Sequence, residues 1–391
     1  MKNLETLIQE LCPDGVEFVK LGEVGTFYGG LSGKSKADFT DGNAKFITYM
    51  NVYSNPSLDI NIEDKVQIKE GEKQNTVEYG DILFTGSSET PDECGMTSVL
   101  TEQTDEKLYL NSFCFGYRFN DVDSISPGYM KHLFRSHSLR KALAKTASGV
   151  TRFNVSKKKV AKIEIPLPPL EVQTEIVRIL DKFTSLEAEL EAELDCRKRQ
   201  YEYYRDKLLS FENAGGQEVE WKKMSEVCKI MNGKDYKQLS EGDIPVYGSG
   251  GIMTHVNDFA YDKPSVLIPR KGSIGNLFYV DEPFWTVDTI YWTKIDETLI
   301  VPKFFYYYMT TKDLTKLNMA AGVPSLTQSM LYKIKLPIPS LAEQQRIVSI
   351  LDRFESLTTS LQSGLPAEIA ARRQQYEYYR DKLLTFKRKA S

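Results

Sequence analysis

Nine consecutive residues, YEYYRDKLL, stand at 201–209 and again at 376–384. Two more stretches repeat in the same order. LPPLEVQTEIVRILDKF at 167–183 matches IPSLAEQQRIVSILDRF at 338–354, and VEFVKLGEV at 16–24 matches VEWKKMSEV at 219–227. A nine-residue identity does not arise by chance, so the chain is an internal duplication. It reads as a module, a long apolar-periodic segment, a second module and a second such segment.

Both repeated segments carry apolar residues at helical steps. The first holds Ile176, Leu180, Phe183, Leu186, Leu190, Leu194, Tyr201, Tyr204, Leu208 and Phe211. The second holds Ile347, Leu351, Phe354, Leu357, Leu361, Leu365, Ile369, Tyr376, Tyr379, Leu383 and Phe386. Recurrence at three, four or seven residues makes a seam for a partner helix, with Glu, Lys and Arg on the flanks. From Leu170 to Phe211 such a helix spans ~60 Å at ~1.5 Å per residue. One apolar stripe of that length needs a partner in water. Each copy is the natural partner of the other, and an antiparallel pair is the simplest closure. The second copy holds four extra residues near Ser363-Gly364-Leu365-Pro366, which predicts a kink or a restarted helix. Leu4 to Leu11 predicts a short helix near the C-terminal one, completing a pseudo-twofold, circular arrangement.

The resulting boundaries are 1–14 for the N-terminal helix, 15–168 for the first module, 169–212 for the first helical region, 213–338 for the second module with a linker at 213–218, and 339–391 for the second helical region. Both modules are rich in β-branched and aromatic runs broken by Gly, Pro and Asn. The runs are KFITYMNVY, GDILFTGS and FCFGYRF in the first, and IPVYGSGG, SVLIPRKGSIG and TIYWTKI in the second. They predict an α+β fold with a curved sheet in each module. Each module ends in a helix candidate, Pro127–Ala147 or Pro302–Met319, then a small-residue turn and a basic strand.

Composition excludes several classes. No apolar run in the 391 residues approaches the ~20 that a membrane-spanning helix needs. The N-terminus alternates charge with leucine and lacks the apolar core of a signal peptide. Five scattered cysteines without a CxxC argue against a disulfide framework and for a reducing cytoplasm, and three histidines argue against a His-rich metal centre. The net charge of −4 hides a bias: residues 107–170 carry 12 basic and 3 acidic side chains. A polyanion partner needs such a local patch, because the field decays within ~8–10 Å.

Duplicated scaffolds with unlike modules suit a protein that reads two different half-targets. Phosphate contacts use Lys, Arg, Ser and Thr, whereas base edges use Arg, Lys, Asn and Gln. In the first module Lys34, Ser35, Lys36, Tyr49, Asn51, Arg152, Asn154, Lys157 and Lys158 supply these types. In the second they come from Lys234, Tyr236, Lys237, Tyr247, Arg270, Lys271, Ser273, Thr327 and Gln328. Enzyme motifs stay incomplete. Gly29 to Ser35 is one residue short of a phosphate loop, and Asn55-Pro56-Ser57-Leu58 lacks the aromatic that stacks on a flipped base. Asp92 with Asp105 and Lys107 imitates the carboxylate cluster of a PD-(D/E)xK endonuclease, with no counterpart in the second module.

The repeated openings at 167–183 and 338–354, the YEYYRDKLL helices and the two unlike modules closely resemble the specificity subunit of type I restriction–modification enzymes. The resemblance covers essentially the whole chain. It implies two target recognition domains that read the halves of a split, asymmetric site on double-stranded DNA. The helices then pair as an antiparallel coiled coil that spaces the domains and docks two methyltransferase subunits, with restriction subunits joining. The helix-pair and partner residues would be Leu180, Phe183, Leu190, Leu194, Tyr201, Tyr204, Leu208, Leu351, Phe354, Leu361, Ile369, Tyr376, Tyr379 and Leu383. No cofactor is expected on this chain; S-adenosylmethionine, ATP and Mg belong to the partners. The competing readings are an endonuclease using Asp92, Asp105 and Lys107, and a coiled-coil scaffold whose modules bind protein.

Glu187 to Leu194 is a tandem tetrapeptide, EAELEAEL, similar to the central spacer of some family members. Deleting one EAEL should shorten the helix by ~6 Å and shift the unread spacer of the DNA site by about one or two base pairs. Mapping the methylated motif measures this, and an unchanged spacer refutes it.

Overall fold

A computed structural model describes residues 4–211, 219–317, 324–359 and 364–390. The chain forms two compact units, one of Met1–Glu189 with Ile369–Ser391, the other of Leu190–Glu368. A single helix, Leu170–Leu208, contributes to both. It contains no Gly or Pro, carries Glu171 in its first turn, and places Arg205 and Lys207 in its last, matching the helix dipole.

The first unit is built on an antiparallel sheet in the order Gly25–Gly29, Cys114–Phe119, Ile82–Thr85, Thr97–Val99. Ile82–Thr85 is buried along its whole length, which is why three apolar residues, Ile82, Leu83 and Phe84, follow one another without alternation. Phe84 stacks on Phe115 at 4.9 Å and meets Phe134 edge-on at 5.7 Å. Val172, Ile176 and Leu180 of the long helix seal this core, joined by Tyr376, Tyr379, Leu383 and Leu384 from the chain's other end. Phe183 stacks on Tyr379 at 5.3 Å, and Glu187 pairs with Arg373 at 2.7 Å. As the number rises on one helix it falls on the other, so the long helix and the C-terminal helix Leu365–Leu383 run antiparallel. The N-terminal helix Leu4–Leu11 buries Leu4 in the same core, and Val16 exchanges backbone hydrogen bonds with Lys387 and Lys389.

The second unit repeats the plan. Its antiparallel sheet runs Cys228–Asn232, Ile290–Ile295, Ser265–Pro269, Phe278–Val280, the same order of equivalent strands. Ile347, Val348 and Leu351 of the helix Leu341–Thr359 enter its core beside Leu209, Phe304 and Tyr307, with Tyr201 and Leu208 partly buried against it. Tyr204 stacks on Phe354 at 5.7 Å. Leu190 and Leu194 are half-buried, and Ile369 is buried in the first unit.

One side chain is used identically in both copies. Gln173 accepts the Ser126 N–H at 2.9 Å and donates to the Ser124 and Pro168 carbonyls at 3.1 and 2.8 Å. Gln344 accepts the Val301 N–H at 2.7 Å and donates to Leu299 and Pro339 at 3.1 and 2.9 Å. Both amides are buried. Each caps the module's own helix, Pro127–Leu133 or Pro302–Thr310, and ties it to the strand that leads into the repeated helix. Losing one amide would orphan three backbone groups, at about 1–3 kcal/mol each.

Several expectations change. Pro127–Ala147 is two helices, Pro127–Leu133 and His137–Ala144; Ser136 stands between them at the start of the second, and its hydroxyl donates back to the Leu133 carbonyl of the first at 2.7 Å. Pro302–Met319 stops at Thr310, and a short 3-10 turn follows over Leu314–Leu317, where Asp313 accepts the Thr315 N–H; residue 319 lies outside the described residues. KFITYMNVY divides into a strand, Ala44–Ile47, and a helix, Tyr49–Ser54, because the Thr48 hydroxyl caps Asn51 N–H at 3.2 Å. Leu186 and Leu357 leave the seam, being 44% and 51% exposed. Leu361 and Ser363 lie outside the described residues. Gly364 has φ +90°, and a new helix starts at Leu365.

In the first unit His132 is buried between Asp181 and Tyr376. Asp181 can only accept, so Nε2–H donates to it at 2.7 Å, and Nδ1 accepts from the Tyr376 hydroxyl at 2.9 Å. Burial, aided by nearby Lys131 and Arg380, lowers the His132 pKa below its ordinary 6.5. Burial raises Asp181, but hydrogen bonds from His132 and Lys131 outweigh it and hold the carboxyl at about 2. The unfolded chain therefore binds a proton at His132 more readily than the folded one. Stability from this group is complete above pH 6.5 and is lost as pH falls through 6.5 towards the lowered value, by up to about 1.4 kcal/mol per pH unit. His132→Gln should flatten that slope in melting curves between pH 7.5 and 5; an unchanged slope would assign it to other groups.

Candidate nucleic-acid interface

The basic segment of the first unit folds back as a hairpin. Ala147–Ser148 pairs with Asn154 and Val155, and Phe153–Val155 pairs with Ser87–Ser88 beyond the buried strand Ile82–Thr85. At the hairpin tip Gly149 takes φ +150°, and a side chain there would strike the Arg152 carbonyl. Arg152 Nε donates to Ser87 Oγ at 3.0 Å, and its guanidinium lies 5.5 Å from the centre of the Phe113 ring. Tyr49 donates its hydroxyl to the Ser87 carbonyl at 2.8 Å and stacks on Tyr53. Together with Met50, Glu89 and Glu93 these residues line an open groove of about 510 Å³. Asn154 is exposed on the hairpin. Lys157 and Lys158 follow on the one-turn helix Lys157–Val160 capped by Ser156, with Lys157 Nζ 5.1 Å from the Phe115 ring.

The second unit assembles its candidates at the equivalent sheet end. Arg270 and Lys271 follow the strand Ser265–Pro269; the Arg270 carbonyl accepts Leu326 N–H at 2.9 Å, and Lys271 bridges to Ser325. Ser273 lies exposed in the same loop. Thr327 caps the short helix Gln328–Leu331, and Gln328 donates to Asn232 Oδ1 at 3.2 Å, two residues from exposed Lys234. Both units thus place a post-strand loop beside the segment that enters a short helix. The side chains differ: Ser87 and Arg152 in one, Arg270, Lys271 and Gln328 in the other.

Four candidates face elsewhere. Lys34 is buried against Glu72 at 2.6 Å, and the hydrogen bond from Lys34 pulls the Glu72 carboxyl to about 2. The sole lysine of the near phosphate loop is therefore committed inside the fold. Asn51 is buried, its amide donating to Asp59 carbonyl at 2.8 Å and its oxygen accepting from Asp59 and Asn55. Tyr236 and Tyr247 pack into small cores, the latter 5.8 Å from Phe278. Ser35 bonds Asp38 at the start of a 3-10 turn, leaving Lys36 exposed, and Lys237 is exposed beside Asp235. The endonuclease cluster is not assembled: Asp92 lines a groove with His137 and Arg140, whereas Lys107 lines another with Lys45 and Lys65. Phe113, Ser87, Met50, Glu89 and Glu93 line the groove without having been candidates from the sequence. Of these only Phe113, an aromatic in the turn after Asn111, carried a signal, and its position beside Arg152 depends on strand pairing.

The sequence matches the family described as type I restriction modification DNA specificity domain over residues 13–195 and 217–371. A Haemophilus influenzae protein named as a type I restriction enzyme specificity subunit is 36% identical over 265 residues, covering 61% of this chain and 68% of that one. The EcoR124I/EcoR124II specificity subunit of Escherichia coli is 38% identical over 261 residues, covering 58% and 63%. These alignments span about two thirds of either relative. A solved S subunit from M. genitalium shares the fold with a TM-score of 0.54, 18% identity and coverage of 95% and 96%. Among the described residues no helix is long and apolar enough to cross a membrane.

Replacing both Lys157 and Lys158 by Gln should weaken binding to duplex DNA alike for all sequences, and lower the slope of log K against log salt by roughly 2. A salt titration of the assembled complex tests this. An unchanged slope would move the backbone contacts to other residues.

Proposed function

The chain belongs to the type I restriction–modification DNA specificity family, and we propose that its two units read the two halves of a split, asymmetric DNA site. The supporting observation is the contrast within the duplication. Sheet order and the Gln173 and Gln344 contacts are the same in both units, while the side chains at the equivalent sheet ends are not. A scaffold kept constant beneath unlike surfaces suits two sensors of one class with different targets. The side-chain types gathered there, Arg, Lys, Asn and Gln, are those that hydrogen-bond to phosphates and base edges.

The chain performs no chemistry in this reading. Two methyltransferase subunits, and restriction subunits with them, dock on its helices and bring S-adenosylmethionine, ATP and Mg. Each unit exposes the same apolar set at repeat-equivalent positions: Leu170, Leu186 and Tyr378 in the first, Leu341, Leu357 and Tyr203 in the second. Exposed large apolar groups occurring as matched pairs suit two copies of one partner better than chance surface composition.

Exchanging residues 15–168 for the corresponding module of a relative tests the proposal. Sequencing of modified DNA from cells carrying the intact system should show one half of the methylated motif replaced and the other retained. An unaltered motif would leave the modules without a reading role and favour the protein-binding scaffold.

A further inference from the structure

Resting on that reading, we infer that the groove beside Arg152 takes the major-groove edge of one G·C pair, with guanine N7 and O6 facing the Arg152 guanidinium. Arg152 is held from two sides. Its Nε donates to the buried Ser87 hydroxyl, and its guanidinium carbon sits over the Phe113 ring, 5.5 Å from the ring centre. Neither terminal nitrogen has a hydrogen-bond or ion-pair partner among the described residues, so the guanidinium keeps two donors that can be presented in parallel. That is the geometry that the two adjacent acceptors of guanine match, and no other base offers it.

The rest of the groove selects a base edge over a phosphate. Glu93 receives hydrogen bonds from Thr90, Tyr53 and Ser88 at 2.8, 3.0 and 3.2 Å, which hold it as a carboxylate. Glu89 lines the same groove and has no hydrogen-bond or ion-pair partner among the described residues. Two carboxylates beside one arginine repel the backbone of a nucleic acid, whose contacts fall to Lys157 and Lys158 outside. A carboxylate does accept from the exocyclic amine of cytosine, the base paired with guanine. Glu89 is thus placed to meet the second half of the same pair, and exposed Met50 supplies an apolar surface for an adjoining thymine methyl.

The test maps the methylated motif in cells carrying the intact system with wild-type chain, Arg152→Gln or Arg152→Lys. One guanine in the half read by residues 15–168 should lose its preference by on the order of tenfold in both variants, and the other half should stay unchanged. Retention of every guanine in both variants overturns the inference. If Arg152→Gln abolishes methylation, binding by the assembled complex decides. The wild type should lose about tenfold affinity when 7-deazaguanine replaces that guanine, and the variant should lose none. Equal losses in the two overturn the inference. The module exchange separates the levels: a motif half that follows the module while ignoring Arg152 sinks this assignment alone.

Discussion

The buried amide of Gln173, repeated at Gln344, is the contact on which the rest of the architecture hangs. It sits in the first turns of a repeated helix, yet all three of its hydrogen bonds go to the module before it. It closes the N-terminus of the module's own helix and the end of the strand that feeds the repeated one. A leucine of similar size would fill the space but leave a buried N–H and two carbonyls unpaired, the most costly state for a polar group in a core. The orientation of each module on its helix is therefore a matter of polar satisfaction as much as of apolar packing.

The duplication divides the constraints. Positions that join module to helix must satisfy the same geometry twice, and they hold the same residue types: Gln173 and Gln344, Asp181 and Asp352, Tyr201 and Tyr376. Even where the partner differs, the function is preserved. His132 donates to Asp181, and Tyr307 donates to Asp352 at 2.6 Å. At the sheet ends no such demand applies, and the two units part company. Surfaces free of internal obligations are where a binding protein places its specificity.

Much of this was legible in the residues. The long helix and its need for a partner followed from apolar spacing, because a seam at steps of three and four needs a second helix; the antiparallel sense and the place of Leu4–Leu11 followed from the order of the repeats. Its weak points followed from the same logic: Leu186 and Leu357 keep the period yet stay exposed, since period records a face without saying what covers it. Individual site residues were less legible. Lys34 and Arg152 are both basic residues after a turn that contains glycine, but Glu72 captures one and Ser87 with Phe113 displays the other. That difference arises from partners 38 and 65 residues away. Asn51 likewise turned inward because Thr48 began a helix where β-branched and aromatic residues suggested a strand.

Hydrogen–deuterium exchange of the assembled complex with and without its target tests most directly the proposal that both units contact one duplex. Protection should appear in both places, at 86–88 with 149–158 and at 270–273 with 325–328, while the repeated helices change little. Protection confined to one of the two, or found only on the helices, would contradict it.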